Sequence, residues 1–377
     1  MTDAGSRKSQ GVSHFKPGDP SKFIFPSHWG GAVRKTVPYG VGTVCEVEVP
    51  ARLHASVIDM NRFDVGIPGG GGIGFAVGTY SRAKIAFTQA LGVSATGSRA
   101  SIGCHLVEMF QTMVGEYVGM KVVIEDHGYK HIGLGSSISV ITATMVALNE
   151  LFGRPLTLSD LRKSIAYNYC EEATYGDNLL VPGFETNVGA MVGIHGGMVV
   201  ASDDCNIVMR SPLPNNMKVL LVVPKTAKSF FSGENEAEKL LGQARELDLE
   251  TRKEKAYIVL MDLLPAMKRG DYKAVGESIY RLSKMGSKLA ECNFHESDGV
   301  DIAGILDGFR GLGAEIVSMS SIGPGTFAIC SKPEPLKEWI EEKGLSSQLH
   351  MLPVDNTGVR VRLDGVPVNY QHEAWWD

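Results

Sequence analysis

A glycine- and serine-rich loop followed at once by a long apolar segment is the feature of this sequence with the clearest chemical meaning. Residues 131–137 contain a histidine, two glycines and two serines, and residues 138–148 are mostly apolar. Glycines allow positive φ angles, and the first turn of a helix has amide groups without intrahelical partners at the positive end of its dipole. The segment therefore suits phosphate or pyrophosphate, although such a loop taken alone is more often an ordinary turn with a serine cap.

A second segment combines charged side chains with a run of glycines. Residues 52–61 read as a strand with Arg52, His54 and Asp59, and a glycine-rich run follows at residues 69–74. These side chains beside a glycine loop suit phosphate binding, proton transfer or metal chelation. A strand edge with ordinary surface charges explains this segment equally well.

A third segment has a turn between two predicted strands. Residues 316–319 and 327–330 read as strands, and the turn between them is rich in serine, glycine and proline. Such a turn would place hydroxyl and amide groups against a ligand held by another part of the chain. A simple hairpin is the alternative.

Composition narrows the class of protein. The chain has 377 residues, a formal net charge of −5 and 44% hydrophobic residues, which argues for a sizeable core and against a general nucleic-acid binder. Its six cysteines form no CxxC pair, which favours free thiols in a reducing compartment. With no apolar signal core and no run of transmembrane length, we expect a cytoplasmic protein that contacts neither membranes nor nucleic acids.

The order of predicted elements indicates two domains. We predict an irregular arm over residues 1–40, a first domain over 41–212 and a second domain over 213–377. Strands and helices mixed in this order favour an α+β fold. The segment after Gly135 is apolar on most sides of a helix, which predicts a central, buried helix ending near Phe152. Glycine-rich strands are predicted between residues 189 and 202.

The three segments, in this order, resemble the GHMP superfamily of small-molecule kinases. The resemblance covers most of the chain after the arm and is closer to one branch, the β-ribofuranosylaminobenzene 5'-phosphate synthases, which are ribosyltransferases on a kinase-like fold. The matching segments are residues 52–60, 71–74, 131–136, 193–197, 232–236, 320–324 and 356–358. Ile322 stands where this branch has an aromatic residue, and residues 183–189 also differ. Because of these departures, the related C-nucleoside synthases of antibiotic pathways are also candidates for the group that this chain resembles.

The resemblance implies both a fold and a reaction. The fold would be a two-domain GHMP-kinase-like α+β fold, with a ribosomal S5 domain 2-like N-terminal domain and a ferredoxin-like C-terminal domain. The reaction would join 5-phosphoribosyl 1-diphosphate, in the presence of Mg²⁺, to an aromatic or heteroaromatic amino-carboxylate. Pyrophosphate and CO₂ would be lost, giving a C-riboside 5'-phosphate for C-nucleoside or pterin-type cofactor biosynthesis. A homodimer is also expected.

The resemblance also implies roles for individual residues. His54, Asp59 and His131 would be catalytic, and Asp59 and Glu234 would hold the metal. The predicted substrate- and phosphate-binding residues are Arg52, Lys130, Gly133, Leu134, Gly135, Ser136, Ser137, His195, Ser320, Ser321 and Gly323. Lys225 and Lys228 are further candidates for binding the 5'-phosphate or the acceptor carboxylate.

Two other functions remain open at this point. One is a GHMP kinase that transfers phosphate from Mg-ATP to a small molecule, since both reactions need a phosphate cradle and Mg²⁺. Many such kinases lack a histidine at the position of His131, which favours the synthase. The other is a non-catalytic ligand-binding protein on the same scaffold.

Overall fold

The computed structural model describes residues 14–129, 132–173, 178–225 and 234–370, with the backbone alone at 234–240. The strands are β1 (Val44–Val57), β2 (Gly72–Thr88), β3 (Val93–Gly97), β4 (Gly119–Glu125), β5 (Cys170–Glu172), β6 (Leu180–Pro182), β7 (Met198–Ala201), β8 (Ile207–Ser211), β9 (Lys218–Val222), β10 (Ile316–Met319), β11 (Thr326–Cys330), β12 (Leu349–Pro353), β13 (Arg360–Leu363) and β14 (Val366–Val368).

The helices are α1 (Ala100–Val114), α2 (Ser136–Leu151), α3 (Leu158–Tyr167), α4 (Val188–His195), α5 (Glu234–Tyr257), α6 (Leu264–Arg269), α7 (Tyr272–Ser283), α8 (Gly286–Ser297), α9 (Ile302–Gly311) and α10 (Glu334–Glu342). A π-helical segment, Ile258–Leu263, joins α5 to α6, and a 3-10 turn, Met60–Arg62, follows β1. Within the part of the chain that the structure describes, no helix is long and apolar enough to cross a membrane.

The first sheet is built around two long antiparallel strands, β1 and β2. It has eight strands in the order β14-β13-β1-β2-β4-β3, with β7 paired to β2 and β8 paired to β7. Strands β13 and β14 come from the end of the described chain, so the chain returns to the first sheet after passing through the second domain. The segment 213–377, predicted as one domain, therefore supplies strands to both sheets.

Helix α2 is the central element of the first domain. All of its residues are buried, and it packs on β1 and β2 between α1, α3 and α4. Its C-cap is Phe152, so the predicted buried helix and its end are confirmed. Burial on every side explains why this helix has almost no polar face.

The second sheet has four antiparallel strands in the order β10-β11-β9-β12. Helices α7 and α9 pack on β10, and α9 also contacts β11. A shared apolar core joins the two sheets: the rings of Phe75 on β2 and Phe327 on β11 lie edge to face, with centroids 6.0 Å apart. The predicted α+β class is confirmed, and this shared core holds the two domains against each other.

The glycine-rich strands predicted between residues 189 and 202 are largely wrong. Residues 188–195 form helix α4, and only β7 after it is a strand. The glycines allow close helix packing: a Cβ on Gly189 would lie 2.6 Å from Ile138, and one on Gly193 would lie 2.8 Å from Val49. In the sequence, glycines that allow close helix packing look the same as glycines of strands and turns.

The described part of the N-terminal arm is docked on the first domain. Phe15 and Phe23 are buried against His105, with ring centroids 5.1 and 5.3 Å from the imidazole. The backbone N–H of Gly18 donates to Nδ1 of His105 over 3.2 Å. Trp29 donates from its indole to Asp160 over 3.0 Å. The arm is irregular, as predicted, and it contributes to the core.

Buried histidines predict that the folded protein is sensitive to acid. Burial lowers the pKa of His105 and His127 to about 4 and that of His195 to about 3, and it holds the pKa of His54 well below 6.5. Below pH 6.5 these histidines bind protons in the unfolded chain but stay neutral in the folded chain. The free energy of unfolding is therefore highest above pH 6.5 and falls as the pH drops toward 4. Each histidine contributes a loss of about 1.4 kcal/mol for each unit by which folding lowers its pKa.

We expect urea unfolding to give a constant free energy between pH 7 and 8 and a steep loss between pH 6.5 and 4. The variant His105→Gln should reduce the dependence of the free energy of unfolding on pH. The variant His28→Gln, at an exposed position, should leave that dependence unchanged. A slope that is the same in both variants would contradict the assignment of proton uptake to His105.

Candidate active site between the two sheets

The three segments singled out in the sequence meet at one place. The hydroxyl of Ser320 donates to the carbonyl of Gly133 over 2.6 Å and accepts from the N–H of His54 over 3.0 Å. The N–H of Arg52 donates to the carbonyl of Leu134, and the N–H of Ser321 donates to the carbonyl of His54. Strand β1, the glycine loop and the turn after β10 are therefore bonded into one structure.

The glycine loop has the backbone geometry of an anion site. Gly133 and Gly135 have φ angles of +87° and +66°, a region that L side chains rarely adopt. A Cβ on Gly133 would lie 2.5 Å from the carbonyl oxygen of Ser320, and one on Gly135 would lie 3.2 Å from Cγ of Arg52. Helix α2 then begins at Ser136 without a side-chain cap from the described residues, which leaves its first amides free for an anion.

A small cavity of about 140 Å³ lies directly over this helix start. It is lined by Arg52, Arg99, Gly133, Gly135, Ser136, Ser137, Tyr169, Glu171, Ser321, Ile322 and Gly323. Two guanidinium groups, one carboxylate and a helix N-terminus meet there, so the small cavity suits a multiply charged anion such as a phosphate.

Arg99 is a site residue that the sequence analysis did not identify. Its side chain is 7% exposed, its Nη2 donates to the hydroxyl of Ser136 over 2.6 Å, and its Nε lies 3.7 Å from a carboxylate oxygen of Asp126. The residue precedes α1 in a left-handed conformation, with φ of +56°. It lies 37 positions before Ser136, and no local motif of the sequence connects it to the glycine loop.

Arg52 stands at the centre of the site. Its Nη1 donates to the carbonyl of Gly133 over 3.3 Å, and its buried Nε has no hydrogen-bond partner among the described residues. Burial lowers the pKa of the Arg52 guanidinium, and the carboxylate of Glu185 opposes this shift. A buried guanidinium with donor capacity left over is a strong anion ligand.

A larger cavity of about 370 Å³ adjoins the small one. The two share Arg52, Tyr169, Glu171, Ser321 and Ile322 as lining residues. The other walls of the large cavity are mostly apolar and are formed by Val57, Met60, Phe63, Val181, Pro182, Phe184, Leu241 and Ala244. The large cavity therefore suits a partly apolar molecule placed next to the anion.

Several of the polar groups that line the large cavity are deeply buried. His54 is 3% exposed, and burial, together with the nearby Arg52, lowers its pKa well below 6.5, so it is neutral near pH 7. Burial raises the pKa of Glu185 and of Glu291, which forms a 2.5 Å ion pair with Lys288. These buried side chains can form directional hydrogen bonds with a bound molecule.

Most of the predicted binding residues lie at this site. Arg52, His54, Gly133, Gly135, Ser136, Ser137, Ser321 and Gly323 line one or both cavities. Leu134 is buried behind the loop, and Ser320 holds the loop in place. Lys130, His131 and Lys228 lie outside the described residues, as does the side chain of Glu234, at which α5 begins.

Asp59 lies in a turn beside the large cavity but does not line it. Strand β1 ends at Val57, and the carboxylate of Asp59 caps the following 3-10 turn by accepting from the backbone N–H of Asn61 over 2.9 Å and from its side chain over 3.1 Å. Neither cavity has it among its lining residues. The structure thus gives Asp59 a local capping role.

His195 and Lys225 also lie away from the two cavities at the glycine loop. His195 ends α4, with its Nε2 3.1 Å from Arg162, and burial lowers its pKa to about 3. Lys225 follows β9 and lines a separate cavity in the second domain together with Trp339. His195 was predicted to bind phosphate and Lys225 to bind the 5'-phosphate or the acceptor carboxylate, and neither lines the two cavities at the glycine loop.

The donor set of the small cavity fits a magnesium ion that binds together with a phosphate. Within the described ranges, no group of three His, Cys, Asp or Glu side chains could hold a metal ion alone. Mg²⁺ usually keeps several waters and takes one or two protein carboxylates plus substrate phosphates. Glu171, which accepts from the hydroxyl of Tyr169, would supply such a carboxylate, and the hydroxyl of Ser137 is a further oxygen ligand in the small cavity.

Comparison with known proteins identifies the class of this fold. The family model described as the GHMP kinases N terminal domain matches residues 102–179. Homoserine kinase from Cytophaga hutchinsonii superposes with a TM-score of 0.59 at 15% identity, covering 85% of this chain and 97% of that one. Mevalonate diphosphate decarboxylase from Staphylococcus aureus gives 0.58 at 15% identity, covering 85% and 98%. The chain has the GHMP kinase fold.

The chain also resembles two enzymes in sequence. The chain is 26% identical over 343 residues to β-ribofuranosylphenol 5'-phosphate synthase of Archaeoglobus fulgidus, covering 84% of this chain and 99% of the relative. It is 23% identical over 305 residues to the enzyme of the same name from Methanothermobacter thermautotrophicus, covering 75% and 88%. The resemblance found in the sequence is confirmed: this chain is a relative of these synthases on a GHMP kinase fold.

Proposed function

We propose that this protein is a C-ribosyltransferase that uses 5-phosphoribosyl 1-diphosphate as the donor. A ring carbon of an aromatic or heteroaromatic amino-carboxylate forms a bond to C1 of the ribose while the bond from C1 to pyrophosphate breaks. The carboxylate at that ring carbon then leaves as CO₂, and its bonding electrons restore the aromatic ring. The products are a C-riboside 5'-phosphate, pyrophosphate and CO₂.

The observation that carries this proposal is the pair of joined cavities. The small cavity has the guanidinium groups of Arg52 and Arg99 and the start of α2, and the large cavity has mostly apolar walls. A donor with its pyrophosphate in the small cavity would present C1 toward an aromatic ring in the large one. The names of the sequence relatives specify a ribofuranosyl phosphate joined to a phenol, which supports transfer of a ribosyl phosphate to an aromatic ring.

The residues of the small cavity would act on the leaving group. Breaking the bond to pyrophosphate leaves positive charge on the ribose and adds negative charge to the departing oxygen. Arg52, Arg99 and the amides of residues 136–138 are fixed donors in a confined space, so they stabilise that charge as it develops. Bound Mg²⁺, held through Glu171 and Ser137, would supply further neutralisation of the pyrophosphate.

The residues of the large cavity would position the acceptor. Arg52 faces both cavities and would bind the acceptor carboxylate, while neutral His54 and the buried carboxyl groups would bind its amino or hydroxyl substituents. Apolar walls, including Phe63 and Phe184, exclude water that would otherwise hydrolyse the donor. Because loss of CO₂ restores aromaticity, the reaction needs no base at the ring carbon.

The proposal extends to the compartment of the reaction and to the class of its product. All six cysteines are free thiols, which supports a reducing compartment, and we place the reaction in the cytoplasm. The product class is that of C-nucleoside or pterin-type cofactor biosynthesis, and an amino-carboxylate of a heteroaromatic ring would make it an antibiotic precursor. Ile322, in place of the aromatic residue of the resembled branch, lines both cavities and would adapt the site to such a ring.

A kinase reaction with Mg-ATP is the main competing function, because the structural relatives include kinases. Calorimetry with Mg²⁺ present separates the two, and we expect tight binding of phosphoribosyl diphosphate and weaker binding of ATP. Tight ATP binding with no response to the ribosyl donor would replace the synthase with the kinase. Binding of the donor without turnover by any candidate acceptor would favour a non-catalytic binding protein.

Glu171 and Asp59 should differ sharply in their importance for turnover. We expect Glu171→Gln to lower turnover by about a hundredfold and to raise the Mg²⁺ concentration needed for half-maximal rate, since Glu171 lines the small cavity. Asp59→Asn should keep most of the turnover, because an asparagine caps the turn nearly as well. Steady-state rates measured across a Mg²⁺ titration, beside thermal melts, test both.

The opposite pattern would restore Asp59 as a catalytic or metal-binding residue. Loss of turnover in Asp59→Asn with normal stability, partly rescued by added Mg²⁺, would assign it to the metal. The same loss with a raised acceptor KM and no rescue would assign it to the acceptor.

A further inference from the structure

A buried ion pair on helix α8 lies against the large cavity. Lys288 and Glu291 are one turn apart, with Nζ of the lysine 2.5 Å from Oε2 of the glutamate and side chains only 1% and 3% exposed. Glu291 lines the large cavity, and the ammonium of Lys288 also donates to the carbonyl of Ser321, which lines both cavities. The pair therefore holds one carboxylate at the cavity wall and joins it to the turn after β10.

A second buried carboxylate nearby shows what a purely structural one looks like. Asp248 accepts at Oδ1 from Nζ of Lys255 over 2.7 Å and from the backbone N–H of Ser287 over 2.6 Å. Its Oδ2 accepts from the backbone N–H of Met60 over 2.8 Å, so the fold uses both oxygens. Glu291 differs, since its Oε1 atom accepts no hydrogen bond from any residue that the structure describes. A buried polar atom without a partner costs free energy, which favours a bound molecule as the partner of this oxygen.

The large cavity has two different ends. Burial lowers the pKa of Arg52, and the carboxylate of Glu185 opposes this shift. Burial raises the pKa of Glu291, and the ammonium of Lys288 opposes that shift. Burial also lowers the pKa of His54, and because both Arg52 and Lys288 add to its shift, His54 lies between the two cations. We call the two ends of the large cavity the arginine end and the lysine end.

The other two carboxyl groups of the large cavity belong to the arginine end. Glu185 and Glu171 both oppose the lowering of the Arg52 pKa that burial causes. Glu185 also accepts from the backbone N–H of Gly189 over 3.4 Å, and Glu171 accepts from the hydroxyl of Tyr169. Both are thus engaged around the guanidinium, and the carboxylate at the lysine end is the one placed to meet a different part of a bound molecule.

We propose that Glu291 selects the acceptor by accepting a hydrogen bond, through Oε1, from an N–H or O–H group on the acceptor ring. This inference rests on the proposed function, which places the acceptor carboxylate against Arg52 at the arginine end. The ring then extends toward the lysine end and presents its substituent there. A hydrogen bond to a charged group is stronger than one between neutral groups, and a site built around it rejects a ring that lacks the donor.

Calorimetry with two probe molecules tests the role of Glu291. 4-Aminobenzoate has N–H donors where 4-methylbenzoate has a methyl group of similar size, and Mg²⁺ and pyrophosphate are added to fill the small cavity. We expect the unmodified protein to bind 4-aminobenzoate at least about tenfold more tightly. Glu291→Gln should lose this preference, because Lys288 holds the amide oxygen and the amide nitrogen, a donor, takes the place of Oε1. Glu150→Gln should keep it, since Glu150 is a buried glutamate paired with Arg154 outside both cavities.

Replacing both members of the ion pair separates recognition from stability. Exchange of a buried pair for apolar residues is often neutral for stability, so Lys288→Met combined with Glu291→Met should fold and should also lose the preference. No preference in the unmodified protein, or a preference that persists in either variant, would overturn the role of Glu291. The assay contains no ribosyl donor, so a failure of the proposed reaction would appear separately, as a preserved preference without release of CO₂ when the donor is supplied.

Discussion

Replacement of Arg52 by methionine is expected to lower kcat/KM for the ribosyl donor by about three orders of magnitude, or roughly 4 kcal/mol of transition-state stabilisation. Among the described residues, Arg52 is the cationic side chain that lines both cavities. Its removal takes away a donor to the leaving group and the group that orients the acceptor carboxylate. Steady-state kinetics at saturating acceptor and varied donor measure the effect.

Two other variants separate charge and position from general effects. Arg52→Lys keeps the charge but loses the planar fork, so we expect it to recover only part of the rate. Arg82→Met removes an exposed arginine that pairs with Glu48 on the same sheet, and it should leave kcat/KM unchanged. Equal losses of activity and of folded protein in Arg52→Met would instead assign Arg52 to holding the glycine loop, through its bond to Gly133.

Gly135→Val is expected to abolish donor binding while most of the protein stays folded. The φ angle of +66° at this position is unfavourable for a branched side chain by about 1–2 kcal/mol. The new Cβ would also lie 3.1 Å from Ile138 and 3.2 Å from Arg52, so it would displace the central guanidinium and occupy the anion's approach to the loop. Donor isotherms recorded beside thermal melts measure both consequences.

Gly115→Val is the matched control for backbone strain. Gly115 has a similar φ of +74°, and a Cβ there would meet nothing within 4 Å. This variant should lose comparable stability and bind the donor normally. If Gly135→Val also binds donor normally in its folded fraction, the loop is an ordinary turn and the phosphate site lies elsewhere.

The sequence predicts those parts of the site that depend on local backbone chemistry. The glycines at 133 and 135 and the apolar helix after them are readable because positive φ angles and complete burial restrict residue type. The convergence of this loop with β1 and the turn after β10 came from the resemblance to a family, since the hydrogen bonds of Ser320 join residues far apart in the chain.

The remaining site residues depend on tertiary placement that spacing does not encode. Arg99 reaches the loop from the start of α1, and its role follows from the packing of α1 beside α2. Asp59 was predicted at the site from the resemblance and from its place before the glycine run, but strand β1 ends at Val57 and Asp59 caps the turn that follows. The addition of β13 and β14 to the first sheet is likewise a long-range pairing that no local pattern announces.

The most direct test of the proposed function is the stoichiometry of the reaction. The purified protein would be incubated with phosphoribosyl diphosphate, Mg²⁺ and a panel of aromatic and heteroaromatic amino-carboxylates, with CO₂ and pyrophosphate measured together. We predict release of the two in equal amounts, dependent on one acceptor and on Arg52. Pyrophosphate release without CO₂, or phosphate transfer from ATP to a member of the same panel, would contradict decarboxylating C-ribosyl transfer.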